Sequence, residues 1–158
     1  MLASWCSINL FELDMALTNK IQDAAVKDAI AHDCAQLIDQ QVSAKSGLSG
    51  MALKAAYGVI KGIGANYVPG AIKRLLPEAC AAIEPIWEEG VAKGEPVAHM
   101  SNQHDRAADL ILGATDARIQ RAGSGIISGT YNKLRKSIKS DVVEAVPEVA
   151  QILYQHVG

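Results

Sequence analysis

Apolar residues recur along the chain at three- and four-residue steps, and no segment sustains alternation at every second position. That spacing belongs to helices with one buried stripe rather than to half-buried strands. Over residues 18–45 the stripe is Ile30, Cys34, Leu37, Ile38 and Val42, with a break allowed at 23–27. Thr18 is placed to cap the start, since its hydroxyl can accept an orphan amide. Gly47 is placed to stop the end in a left-handed conformation.

Ser49 then caps a helix running to about Gly62, with Ala52, Ala55, Ala56, Val59 and Ile60 as its buried face. Gly58 and Gly62 lie four apart on it, a spacing that predicts a neighbour packed close enough to exclude side chains. Residues 62–66 form a loop.

Pro69 opens the next element, where its missing N–H does no harm. Pro77 starts another, with Glu78 in its first turn and a core stripe of Ala79, Cys80, Ile83, Ile86 and Trp87. Pro85 kinks or splits that helix, and Gly90 and Gly94 end it. Pro96 begins a long helix to about Arg121, striped by Met100, His104, Ala107, Ile111 and Ala114. Gly123 and Gly125 break the chain before a helix at 127–139 that buries Ile127, Tyr131, Leu134 and Ile138. Ser140 caps the last helix, which Pro147 bends or divides.

The outcome is an all-α fold, a single-domain bundle of about six to eight helices with proline kinks and no significant sheet. Residues 18–158 are the domain, and 1–17 an N-terminal extension or docking segment. Leu2, Cys6, Leu10, Leu13 and Leu17 give that extension a rough stripe. Met15 is an alternative start.

Composition adds to this picture in one respect. The 158 residues are 49% hydrophobic but only 4% aromatic. The apolar surface is therefore carried by Ala, Val, Ile and Leu, which let helices approach closely. The net charge of −2 exerts no global pull on nucleic acid or membranes. No apolar run reaches the ~18 residues of a membrane helix. The opening residues lack the basic start of a signal peptide. Cys6, Cys34 and Cys80 form no CxxC pair, so a zinc ribbon or thioredoxin-type site is excluded and Cys34 and Cys80 read as small buried hydrophobes. A reducing cytoplasm suits them.

Charge is uneven only near the C-terminus. Residues 117–140 carry Arg118, Arg121, Lys133, Arg135, Lys136 and Lys139 and no acid, while the residues after them carry Asp141, Glu144 and Glu148 and no Lys or Arg. With Ser124 in the glycine-rich turn, these six basic residues are the candidate anion or partner contact. The turn lacks the GxxxxGK[ST] arrangement and a preceding strand, so it is a corner between helices and not a phosphate loop. The basic face contacts a partner or pairs with the acidic last helix. SGLSG before Tyr57 and SGIISG before Tyr131 echo each other, which shared turn chemistry explains as well as duplication does.

Catalytic constellations are poor. His32, His104, Asp105 and Asp141 superficially resemble the ligand set of the helical HD metal phosphohydrolases, and that resemblance would imply a metal among them. No GxSxG elbow, ExxH pair or i,i+4 histidine pair accompanies it. The residues point to no catalytic group, no metal and no cofactor.

Three stretches carry a wider resemblance: LIDQQVSAKSGLSGMALKAAYGVIKGI, LLPEACAAIEPIW and SGTYNKLRKSIKSDVVEAVPEV. They are similar to a bacterial family of small helical proteins, with cyanobacterial members, known only as a domain of unknown function. The resemblance runs from about Lys27 to the C-terminus and implies a single helical domain with no established activity. The expected role is interaction or structure through a basic contact face, with an unknown protein partner or a second copy of the chain. The alternative is a helical carrier of a small apolar or anionic ligand, and an HD-like hydrolase comes third. Nucleic acid is disfavoured, since Tyr131 is the only aromatic among the charges.

Overall fold

The computed structural model describes residues 16–123 and 125–158, and the stripe expected in the extension, Leu17 apart, lies outside them. Among the described residues there are eight helices and no strand. They are α1 (Leu17–Lys20), α2 (Ala24–Ala44), α3 (Gly47–Lys61), α4 (Tyr67–Ala92), α5 (Pro96–Asn102), α6 (His104–Ala122), α7 (Ile126–Leu134) and α8 (Lys139–Val157).

Helix α4 is the axis. It packs against α1, α2, α3, α5 and α6, and α8 closes the other side of the core against α2, α5 and α6. Ile83, Ile86 and Trp87 of α4 meet Ile30 of α2, Met100 of α5, Ala107 of α6 and Val146 of α8 in one buried cluster. Each of these residues is at most 2% exposed. A buried side chain of this size stabilises by about 1.5–3 kcal/mol relative to leaving it in water.

Several boundaries differ from those the sequence suggests. Asp23, not Thr18, caps the first long helix: its Oδ1 accepts from the amides of Ala25 at 2.8 Å and Val26 at 3.4 Å. Thr18 belongs to the short α1 and donates to Glu84 Oε2 at 3.0 Å. The helix expected to start at Pro77 is the continuation of α4, which runs through both Pro77 and Pro85. Pro147 likewise lies within α8. All three prolines are exposed. The carbonyls they deprive of a donor, four residues earlier, are on the side where water can serve. The helix expected over 96–121 is two, separated at Gln103. His104 is exposed rather than part of the buried stripe, and the buried histidine is His99. Gly47 takes a left-handed φ of 77°, but α2 has already stopped at Ala44, and Gly47 is the first residue of α3.

Helix α3 departs furthest from expectation. Of its expected buried face, Ala52, Ala55 and Val59 are exposed, and only Ala56 and Ile60 are half-buried. Leu48 and Met51 are 88% and 68% exposed. A Cβ at Gly58 would meet nothing within 4 Å among the described residues, so none of them packs there. The helix is apolar on almost every side, and such a pattern does not specify which side turns inward. Here the inward side is Leu53, Tyr57 and Ile60, and α3 lies on the bundle as a thin outer layer.

Candidate functional site

Where α2, α4 and α8 pass beneath α3, they do not close on each other. They leave a cavity of about 320 Å³. Leu37 and Val42 of α2, Leu76 and Ile83 of α4, and Val146 and Leu153 of α8 form its inner wall, with Leu53 of α3 and Ile111 of α6 on its sides. Small residues at four lining positions, Cys34, Ala79, Cys80 and Ala145, leave the room that larger side chains would fill.

Both thiols are pushed up to about 12, chiefly by burial, so they are neutral apolar surface at physiological pH. That agrees with their reading as buried hydrophobes: Cys80 is 1% exposed, and Cys34 is half-buried. The polar lining is confined to Gln41, Lys45 and Asp141. Lys45 Nζ lies 2.6 Å from Asp141 and 3.0 Å from Glu144. The two carboxylates raise the lysine above its ordinary value and hold it charged. Lys45 and Asp141 are partly exposed, so this end communicates with solvent. A half-open pocket of this kind offers shape and apolar surface, with one lysine held between two carboxylates at its mouth.

The basic stretch has a different architecture. Arg118 Nη1 lies 3.1 Å from Glu78 Oε1, and Arg121 donates to the same oxygen. Arg135 Nε donates to Asp116 at 2.8 and 3.1 Å. Lys139 Nζ is 2.9 Å from Asp109. Lys133 and Lys136 are exposed and make no ion pair among the described residues. Ser124 lies outside the described residues. The acids that receive the stretch are therefore on α4 and α6. Asp141 and Glu144 of the last helix instead receive Lys45.

Two clasps resolve the sequence echo into geometry. Tyr57 OH donates to Asp39 at 2.6 Å, with Lys61 on the same oxygen at 3.1 Å. Tyr131 OH donates to Asp116 at 2.6 Å, with Arg135 beside it. Each ties a short helix to the long helix before it through a tyrosine and a basic residue four positions on. Between α3 and α7 runs a second, larger depression of about 820 Å³, floored by α4 and walled by α6.

The HD-type ligands are not gathered. His32 sits against Gln36 Nε2 at 3.2 Å, His104 against Asp105 at 3.5 Å, and Asp141 against Lys45. Among the described residues no group of three His, Cys, Asp or Glu side chains is placed to hold a metal ion. The cavity-lining set could not be named from sequence: abundant Ala and Gly permit a pocket, but the same residues also pack helices tightly.

The class defined by these features is an all-helical bundle with a half-open apolar pocket beside a thin outer helix, in which no helix among the described residues is long and apolar enough to cross a membrane. The chain belongs to a family of unknown function, DUF6918, whose pattern it matches over residues 17–157. That span starts ten residues before the stretch recognisable by eye. No curated protein and no solved structure matches the chain.

Proposed function

We propose that the protein binds a small, neutral, apolar molecule in the cavity beneath α3 and acts as its carrier. The observation that supports this reading is the cavity itself. Protein interiors pack with few voids larger than a water molecule, and an engineered void of about 150 Å³ already admits benzene. One of about 320 Å³, walled by aliphatic side chains, is in the range of small ligand pockets. A ligand of on the order of ten carbon atoms fits this space. A charged headgroup gains little there, because Lys45 is already shared by Asp141 and Glu144.

Entry is open at the Lys45–Asp141 end, and loosening of α3, which has few buried contacts, would widen it. Titration with the neutral fluorophore N-phenyl-1-naphthylamine tests the reading. Saturable binding at one site, lost in Cys34→Phe and in Ala79→Leu while thermal stability is kept, supports it. Unchanged binding in both filled variants excludes the cavity as the site.

A second reading, contact with an acidic partner, rests on Lys133 and Lys136, the two members of the basic stretch without an internal acid. Retention on heparin that is unaffected by Lys133→Ala/Lys136→Ala removes it.

A further inference from the structure

The depression between α3 and α7 differs from the cavity in its chemistry. Ile60 and Ile63 on one side, Ile72 on the floor and Ile126 on the other side form an apolar trough. Ile63 is 48% and Ile126 66% exposed, so the trough is open along its length. Its charged lining is Arg74 and Arg118, with no aspartate or glutamate, and Tyr57 and Tyr67 add two phenols.

The charge around it is also unbalanced. Glu78 is the single acid engaged by Arg118 and Arg121. Arg74, one turn earlier on α4, is exposed and has no acidic partner among the described residues. Arg118 thus shares Glu78 with Arg121, and Arg74 stands without an acid among the described residues, both at the edge of an aliphatic trough. Guanidinium groups recognise carboxylates and phosphates through paired N–H donors.

We propose that this trough binds a monomeric single-chain anionic amphiphile, such as a medium-chain carboxylate. The alkyl chain lies along Ile60, Ile63, Ile72 and Ile126, and the headgroup sits against Arg74 and Arg118. The charge complementarity selects this occupant over a neutral apolar molecule, which gains nothing from the arginines. The site adjoins the cavity beneath α3 and shares Ile38, Ile72 and Leu75 with it, but Cys34 and Ala79 line the cavity alone, and the cavity's polar end already holds Lys45 between two carboxylates.

Calorimetric titration of Cys34→Phe, whose cavity is filled, with decanoate and with 1-decanol, both below the concentration at which they aggregate, tests the assignment. Decanoate is expected to bind about tenfold more tightly than the alcohol, a difference that shrinks as salt is raised. Arg74→Gln/Arg118→Gln removes the preference and leaves alcohol binding unchanged. Arg74→Gln alone, at an exposed position without an acidic partner, lowers decanoate affinity severalfold with no loss of thermal stability. It therefore keeps the test valid if the double variant folds poorly. Cys34→Phe leaves decanoate binding intact. Equal affinity for acid and alcohol in Cys34→Phe overturns the proposal. So does loss of decanoate binding in Cys34→Phe, which would place the acid in the cavity.

Discussion

Asp116 shows how much of this surface is decided by single carboxylates. Arg135 and Tyr131 both donate to it, and the arginine, as the larger cause, holds the aspartate below its ordinary value. Asp39 is held low in the same way, first by Tyr57 and then by Lys61. Groups whose folded pKa lies below the unfolded one contribute stability above the unfolded value and lose it as pH falls through the folded one. Thermal stability is thus expected to fall as the solution is acidified below about pH 4. Asp116→Asn should cost about 1 kcal/mol at neutral pH, since the group is one-third exposed, and should flatten that acid slope. A melting series from pH 7 to 3 on both proteins measures this, and parallel curves would remove the clasp as the cause.

Gly90 is decided by contact instead. A Cβ there would lie 2.6 Å from Pro96 Cα and 3.1 Å from His99 Cβ. Alanine ordinarily gains about 0.5–1 kcal/mol over glycine within a helix, but overpacking against backbone costs about 1–3 kcal/mol. Gly90→Ala should therefore lower the denaturation midpoint despite the better propensity. These residue-level partners were not legible beforehand. That Arg118, Arg121, Arg135 and Lys139 turn to acids on α4 and α6, and not to Asp141, depends on how helices cross, which spacing along one helix does not contain.

At the scale of elements, legibility tracks burial. The stripes of α2, α4 and α8 were readable because each has a polar side to contrast with its apolar one. Helix ends at Gly94 and Gly123 were readable because each takes a positive φ that glycine tolerates best. Pro77 misled, because an exposed proline can be carried inside a long helix when packing on the opposite face holds it. Helix α3 misled in the other direction: Gly50 is its only buried residue.

Few buried contacts imply a low opening free energy for that element. Amide hydrogen exchange should therefore release α3 by local opening well before α4, with protection factors lower by at least about a hundredfold. Co-protection of α3 with α4 would show that the roof opens only when the whole molecule unfolds. A ligand in the cavity should slow exchange in α3 selectively.

For the whole molecule, the all-helical class followed from periodicity alone, and the site did not. A cavity is a property of four helices that fail to meet, and no single segment records it. Its walls nevertheless carry two reporters. With both thiols pushed up to about 12, native protein at pH 8 should react with a thiol reagent at Cys34 and Cys80 more slowly than an unfolded control by several orders of magnitude. Rapid labelling of Cys80 under native conditions would contradict the closed packing around it. Further slowing by an added apolar ligand would locate that ligand.

The outer side of α3 has a further consequence, in oxidation chemistry. Met51 is 68% exposed, while Met100, in the core, is 0% exposed. Dilute peroxide should convert Met51 to its sulfoxide long before Met100. The modification adds a polar oxygen where no packing is lost, so helicity and melting temperature should hardly change. The rate of that one reaction, read by peptide mass, then becomes a gauge of α3 itself: whatever covers its outer face in a cell extract would protect Met51, and an uncovered face would leave it as reactive as in the purified protein.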